Sequence, residues 1–182
     1  MARHFFRRFV LFLAVPAFLI FSASGQDSQV MPNIRGESLS NQQVELPSAA
    51  SGNIAVLVLG FSKASKEPTN AWAKKLSSDF AQQPGFVLYQ LPVLESVPRF
   101  VRGMVISSMR KSVAPQLRDH FVPLLNGESE LKKLVGYHEP DDAYLILLDR
   151  EGKIAAQTHG PLSEANDSAF RSQIQMLLKS SK

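Results

Sequence analysis

Three short runs of apolar residues predict the strands of a sheet. The run NIAVLVLGF at residues 53–61 is apolar at successive positions, as in a central strand that is covered on both faces. FVLYQLPVL at 86–94 and AYLILLD at 143–149 predict two further strands. The tight turn REG then leads into KIAAQTHG at 153–160, which predicts a strand antiparallel to its neighbour.

Between and after these runs, apolar residues recur at helical spacing. Trp72, Leu76 and Phe80 recur every four residues in the first such segment, and Phe170 and Ile174 begin a similar stripe in the last. The predicted helices cover Lys66 to Gln82, Pro98 to about Phe121 with an interruption at Pro115, a short segment that ends near Gly136, and a last segment that Ser163 opens.

The first 25 residues have the pattern of a secretory signal peptide. Arg3, Arg7 and Arg8 precede an apolar run from Phe9 to Phe21, and small residues follow up to Gly25. We expect cleavage after Gly25 and export to the periplasm or the extracellular space. Because the apolar run is shorter than the ~20 residues that span a bilayer, a permanent signal anchor is the less favoured alternative.

The order of the elements is strand, helix, strand, helix, strand, hairpin turn, strand, helix. A right-handed crossover makes the first two long strands parallel, and the REG turn makes the last strand antiparallel. The predicted fold class is α/β, a three-layer α/β/α sandwich around a mixed central sheet. We divide the chain into the signal peptide (1–25), a polar N-terminal extension with a predicted hairpin (26–52) and the α/β domain (53–182).

Loss of the signal segment changes the charge of the chain. The full sequence has 20 Lys and Arg residues against 16 Asp and Glu residues, a net charge of +4. The signal segment takes three arginines and no acid, so 17 basic and 16 acidic residues remain, a net charge of +1. This near-neutral charge gives no support for nucleic-acid binding. The sequence contains no cysteine, so packing rather than disulfide bonds must stabilise an exported form.

Several segments resemble known families. MPNIRGESLSNQQVELP, NIAVLVLGFSKAS and YLILLDREGKI resemble exported proteins of the thioredoxin superfamily. VLGFSKASKEPTNAWAKKL, YQLPVLESVPRFVRGMVISSMRKSVAPQL and GYHEPDDAYLILLDREGKIAAQTHG together resemble the family of the mitochondrial ATP synthase assembly factor called ATP-ten and its bacterial look-alikes, over about residues 53–178. The resemblance implies a thioredoxin-like fold and a role in assembly. The export signal departs from the mitochondrial pattern.

The turn after the first long strand carries Ser62 and Ser65 where redox members of the superfamily carry a Cys-x-x-Cys pair. A serine hydroxyl cannot supply the thiolate that attacks a disulfide bond. The cis-proline of the superfamily should fall at Ala143, and Pro140 lies three residues too early. We therefore predict no disulfide oxidoreductase activity and no cofactor, and we expect one of the two serines to cap the following helix.

The resemblance also implies a groove for a polypeptide partner. In an open sheet with parallel central strands, binding sites form beyond the carboxyl ends of those strands, where a helix N-terminus offers free N–H groups. The candidate groove residues are Ser62, Lys63, Ser65, Lys66, Asp142 and Ala143. The predicted function is that of an exported, redox-inactive binding or assembly module. An exported domain that has no such groove is a further alternative.

A different class of function is a small serine hydrolase. The sequence GFSKA has the strand–turn–helix form of a nucleophile elbow around Ser62, and Asp149 and His159 follow in the order of a hydrolase triad. Against it, the chain is short for an α/β-hydrolase and no glycine-rich oxyanion loop precedes the turn. The histidines lack metal-ligand spacing, so we predict no metal site.

The second predicted helix divides into two faces on a helical wheel. One broad face is apolar and the other is basic, with Phe100, Val101, Met104, Val105 and Met109 on the first and Arg99, Arg102 and Arg110 on the second. Such a helix can pack on the sheet and leave its basic face in water. The functional interpretation is a basic surface that meets anionic lipid or an acidic partner.

Overall fold

The computed structural model describes residues 30–180, and this part of the chain contains six strands and four α-helices. The strands are β1 (Ile34–Glu37), β2 (Gln43–Leu46), β3 (Ile54–Gly60), β4 (Phe86–Pro92), β5 (Ala143–Leu148) and β6 (Ile154–His159). The helices are α1 (Lys66–Phe80), α2 (Arg99–Ser112), α3 (Glu128–Leu134) and α4 (Glu164–Lys179). The predicted signal segment, residues 1–25, lies outside the described residues.

The central sheet has the predicted topology. Its strand order is β4-β3-β5-β6, with β3 parallel to β4 and antiparallel to β5, and with β5 antiparallel to β6. β1 and β2 form a separate antiparallel hairpin. The predicted α/β fold with a mixed sheet and an N-terminal hairpin is therefore confirmed.

Alternate residues of β3 enter two hydrophobic cores, which explains why its sequence is apolar throughout. Ile54, Val56 and Val58 face the core beneath α1 and α4. The predicted stripes of these two helices are buried there, with Trp72, Leu76, Phe80, Phe170 and Ile174 each no more than 4% exposed. α4 begins as predicted, because the Ser163 hydroxyl accepts the Asn166 N–H over 3.2 Å.

The opposite face of the sheet is covered by the β1–β2 hairpin, α3 and an extended segment at residues 121–124. Ile34 and Leu46 of the hairpin are buried in the same core as Leu57 of β3 and Leu131 of α3. The hairpin thus shares the core of the sheet. The proposed boundary between residues 52 and 53 stays a prediction.

The long helical stretch predicted from Pro98 is interrupted close to Pro115, as expected. α2 ends at Ser112, and a short 3-10 helix spans Pro115–His120. The chain then runs parallel to the outer side of β4 at residues 121–124, which the sequence did not indicate. Among residues 30–180, no helix combines the length and the apolar character needed to cross a membrane.

Candidate functional site

The site predicted from the sequence lies at one edge of the sheet. β3 ends at Gly60, which is paired with Pro92 at the end of β4 and with Ala143 at the start of β5. The turn at residues 62–66 and the loop at residues 137–142 lie beyond this edge. We refer to these two segments together as the edge site.

The two serines of the turn bind each other and the loop. The Ser62 hydroxyl donates to Asp141 Oδ1 over 2.9 Å and accepts the Ser65 N–H over 3.0 Å. The buried Ser65 hydroxyl donates to the Ser62 carbonyl over 2.8 Å and accepts the Ser62 N–H over 3.3 Å. Neither hydroxyl accepts an N–H of α1, since Ser62 accepts that of Ser65 and Ser65, at the N-cap position, makes no capping bond. The prediction that one of the two serines caps this helix is therefore wrong, and the two hydroxyls stabilise the turn instead.

Glycine at position 60 leaves space for this network. A Cβ built on Gly60 would lie 2.6 Å from Ser65 Oγ and 3.1 Å from Thr69 Cγ2. The first distance is shorter than real Cβ contacts, so any side chain at position 60 would displace Ser65. Close approach of the backbone to a neighbouring group is a common reason for glycine at such a position.

A buried tyrosine holds the loop of the edge site in place. The Tyr144 hydroxyl accepts the N–H groups of His138 and Glu139 over 3.1 and 3.0 Å, and it donates to the Glu139 carbonyl over 2.9 Å. Sequence reasoning missed this residue. The available signal was a tyrosine inside an apolar strand, because a buried phenol hydroxyl usually needs a hydrogen-bond partner. The Glu139–Pro140 peptide bond is trans.

His159 joins the loop to the end of β6. Its Nδ1 lies 3.0 Å from Asp142 Oδ2, and its ring stacks on Tyr144 with centroids 5.6 Å apart. The His138 ring meets it edge-on, with centroids 4.5 Å apart. His159 and Asp142 thus form one side of the edge site.

The structure contradicts the hydrolase set of Ser62, Asp149 and His159. Because β5 runs antiparallel to β3, Asp149 lies at the opposite edge of the sheet from Ser62. Its Oδ1 accepts the N–H groups of Glu151 and Lys153, each over 2.9 Å. The Ser62 hydroxyl donates to a carboxylate rather than to an imidazole. The triad inferred from residue order is wrong.

The remaining candidate residues differ in accessibility. Lys63 and Lys66 are exposed, and neither side chain forms an ion pair within residues 30–180. Ala143 is buried, and its carbonyl accepts the Gly160 N–H over 2.9 Å. The lysines are therefore available to a partner, whereas Ala143 lies beneath the surface of the edge site.

An open cavity of about 630 Å³ adjoins the loop at Tyr137. Glu95 and Glu128 both line this cavity, and their carboxylates link the two segments that border it. Glu95 Oε2 accepts the Glu128 N–H over 2.7 Å, and Glu128 Oε2 accepts the Ser96 N–H over 3.0 Å. These reciprocal bonds connect the loop between β4 and α2 to the start of α3.

Lys132 also lines this cavity. Its ammonium lies 2.7 Å from Glu128 Oε1 and 4.3 Å from the centroid of the Tyr137 ring. Burial raises the pKa of the Glu128 carboxyl, but hydrogen bonds from Lys132 and from the Ser96 N–H outweigh it and bring the pKa below the usual 4.5. The hydrogen bond to Glu128 raises the pKa of the Lys132 ammonium.

The apolar face assigned to α2 is only partly correct. Val101, Val105 and Met109 are half-buried against the domain, but Phe100 and Met104 are 88% and 74% exposed. No residue of α2 is buried. The centre of its outward side is therefore apolar rather than basic.

Two of the three arginines predicted to lie on a solvated face point to the protein instead. Arg102 donates to two backbone carbonyls of the loop before α2, over 2.6 and 2.8 Å. Arg110 donates to the Leu39 carbonyl over 2.9 Å and to Asn41 Oδ1 over 2.8 Å, which fastens α2 to the β1–β2 hairpin. Only Arg99 of the three is exposed.

No three His, Cys, Asp or Glu side chains in the described range, residues 30–180, are grouped so that they could hold a metal ion. The histidine cluster of the edge site has two imidazoles, and Asp142 is bonded to one of them. Its contacts are those of a packed aromatic group.

Solved structures share this fold with the chain. The exposed lipoprotein thioredoxin Etrx1 of Streptococcus pneumoniae is 12% identical, with a TM-score of 0.55 over 79% of this chain and 99% of that one. A thiol-disulfide oxidoreductase from Bacteroides fragilis is 16% identical, with a TM-score of 0.54 over 79% and 98%. BsSco, a member of the Sco family of cytochrome c oxidase assembly proteins, is 12% identical, with a TM-score of 0.55 over 83% and 94%. Identities this low establish a thioredoxin-like fold alone.

The sequence itself matches one family. No curated protein matches the chain. A family model described as ATP10 protein matches residues 15–177, which is most of the sequence. This thioredoxin-like chain without cysteine therefore belongs to the ATP10 protein family.

Proposed function

We propose that this protein is a redox-inactive assembly module that binds a polypeptide partner at the edge site. One observation carries the proposal most directly. The two positions of a Cys-x-x-Cys pair hold Ser62 and Ser65, whose hydroxyls bind the turn and Asp141. The edge site therefore has no group for disulfide exchange, which supports a binding role over a redox role for this position of the fold.

The chemistry around the turn favours a partner segment with an acidic group. Lys63 and Lys66 lie exposed at the start of α1, where free N–H groups and the helix dipole add positive charge. The cavity beside Tyr137 offers an aromatic ring and open space for a side chain. Because the resemblance is to an ATP synthase assembly factor, a subunit of that complex is the first partner to test.

Site-specific photo-crosslinking in the native cells tests this proposal. A benzophenone amino acid at Tyr137 should capture a discrete polypeptide, because its ring borders both the loop and the cavity. The same group at Glu151, at the opposite edge of the sheet, is the matched control and should capture none. Equal capture at the two positions would contradict the edge site as the contact surface.

Charge reversal tests the role of the lysines. Lys63→Glu combined with Lys66→Glu should lower crosslinking at Tyr137 several-fold, since complementary charges speed association. The fold should be unaffected because neither side chain makes an ion pair with any residue from 30 to 180. Reversal of Lys153 at the other edge should leave crosslinking unchanged.

Export is a further part of the proposal, and it rests on the pattern of residues 1–25. Protein recovered from the native envelope should begin at Gln26 or within a few residues of it, as read from its intact mass. A full-length mass in the membrane fraction would instead identify a signal anchor.

A further inference from the structure

α2 carries an exposed apolar pair on its outward side. Phe100 and Met104 are one helical turn apart and are 88% and 74% exposed. Their neighbours on the same side, Gly103, Ser107 and Ser108, are small and exposed. Most large apolar residues among residues 30–180 are covered, so this pair needs an explanation.

The charge of α2 is the second observation. The helix contains Arg99, Arg102, Arg110 and Lys111 and no acidic residue. Arg102 and Arg110 donate to backbone carbonyl oxygens and to the side-chain amide oxygen of Asn41. None of these acceptors is a carboxylate, so none neutralises the charge. No ion pair within residues 30–180 involves any of the four cations, so the helix retains its full positive charge.

We propose that α2 docks on an anionic lipid surface. Phe100 and Met104 would enter the boundary between headgroups and acyl chains, and the exposed side chains of Arg99 and Lys111 would lie at the level of the lipid phosphates. An amphipathic helix with exposed aromatic residues and surrounding Lys and Arg residues has the composition for this position. The uncompensated charge of the helix complements the negative charge of the lipid.

The shape of the patch favours lipid over a protein partner. Phe100 and Met104 are so exposed that the apolar pair protrudes from the surface and is not enclosed in a groove. A protruding apolar pair with the exposed cations Arg99 and Lys111 suits a deformable surface, whereas protein anchors usually fill or form pockets. The docking of α2 does not depend on what the edge site binds.

A single labelled cysteine tests the proposal, because the chain has none of its own. The full chain is prepared with Met104→Cys or, as the matched control on α4, with Gln173→Cys, and each is labelled with a fluorophore. Both positions are exposed. Vesicles contain either phosphatidylcholine alone or a mixture with phosphatidylglycerol, and both carry brominated acyl chains as quenchers. A position-specific signal is needed because the apolar run at residues 9–21 can itself bind lipid.

We expect quenching of the label at position 104 on anionic vesicles, little quenching on neutral vesicles, and none at position 173. Arg99→Glu combined with Lys111→Glu should weaken partitioning of the labelled helix roughly tenfold or more, because each basic residue contributes to binding at an anionic surface. Phe100→Ser should also reduce quenching, and circular dichroism should confirm that both variants remain folded.

Three results would overturn the proposal. The first is equal quenching at positions 104 and 173, which would mean attachment through the N-terminal run alone. The second is equal quenching on neutral and anionic vesicles. The third is shielding of the fluorophore at position 104 from solvent on native membranes that retain their proteins but not on lipid vesicles, which would identify a protein partner instead.

Discussion

The Ser65 hydroxyl lies between Gly60 and the backbone of Ser62, and both its donor and its acceptor functions are used there. Ser62 has the more exposed hydroxyl of the two and reaches Asp141, 79 residues away. A thiol would be a poor substitute for either hydroxyl, because sulfur is a weak donor and a weak acceptor. At the residue scale, the two hydroxyls of this turn therefore bind groups of the fold itself.

Ser65→Ala should destabilise the protein more than Ser62→Ala does. Removal of the Ser65 hydroxyl leaves both the N–H and the carbonyl of Ser62 without this buried partner, which should lower the free energy of unfolding by about 1–3 kcal/mol. Ser62→Ala loses one bond within the turn and one bond to a carboxylate near solvent, which should lower it by about 0.5–1.5 kcal/mol. Urea-induced unfolding, followed by circular dichroism, measures both.

Lys63→Ala is the matched control for these two variants. Lys63 lies in the same turn, is exposed and makes no ion pair in the described part of the chain, so the free energy of unfolding of the variant should match that of the wild type. If Ser65→Ala were no less stable than Lys63→Ala, the hydroxyl network would have no structural role.

At the element scale, the start of α3 depends on two glutamates. The Glu95 carboxylate accepts the Glu128 N–H, and the Glu128 carboxylate accepts the Ser96 N–H. α3 is short and would be marginal in isolation, so such tertiary bonds must contribute to its stability. Lys132, one turn beyond Glu128, completes the group.

Glu128→Gln should destabilise the protein in a pH-dependent manner. The pKa of the folded Glu128 carboxyl lies below the usual 4.5, so the ionised form stabilises the fold above that pH. At pH 7 the variant should be less stable by about 1.5–3 kcal/mol, a typical value for a hydrogen bond to a charged group. As the pH falls below about 4.5 and on through the lowered pKa, the wild type loses this contribution and the two stabilities should converge.

Urea unfolding at pH 7 and at several lower pH values measures this difference. Glu151→Gln is the control, because Glu151 pairs with Lys153 where both side chains are more than half exposed. Exposed pairs of this kind contribute little, so the control should follow the wild type at every pH. A constant gap between Glu128→Gln and the wild type across the pH range would contradict the pKa argument.

The sequence predicts some elements better than others for physical reasons. β3 was predictable because each of its residues before Gly60 enters one of two cores, and α1 because Trp72 and Leu76 repeat at helical spacing. For α2, the helical wheel predicted that Phe100 faces the core and that Arg110 faces water, and the structure shows the reverse for both residues. Arg110 turned inwards because it binds a hairpin carbonyl distant in sequence, and no local pattern encodes such a contact.

The contacts of the edge site were likewise not predictable from local sequence patterns. Its location followed from strand order alone, since the carboxyl end of β3 and the start of β5 must meet. Its contacts did not follow, because Ser62 with Asp141 and His159 with Asp142 are long-range pairs between polar residues. Residue order grouped Asp149 with Ser62 and His159. The antiparallel direction of β5 instead places Asp142 beside His159 and Asp149 at the opposite edge.

At the scale of the whole molecule, two surfaces with different chemistry lie on one thioredoxin-like frame. The edge site has exposed lysines, two imidazoles and hydroxyls that are bonded internally, and α2 has an apolar pair among cations. α2 follows β4, which ends beside β3 at the edge site. The edge site and the segment that leads into α2 therefore both lie at the carboxyl ends of β3 and β4.

The absence of cysteine determines how the whole molecule should behave in a disulfide-exchange assay. When dithiothreitol reduces insulin, free thiols are released and the B chain then precipitates. This protein should leave the rate of thiol release unchanged, because no thiolate is available to attack a disulfide bond. If it binds polypeptides as proposed, it should delay the turbidity of the B chain without affecting thiol release. Thioredoxin is the positive control, and thiol release accelerated to a comparable rate would contradict the redox-inactive assignment.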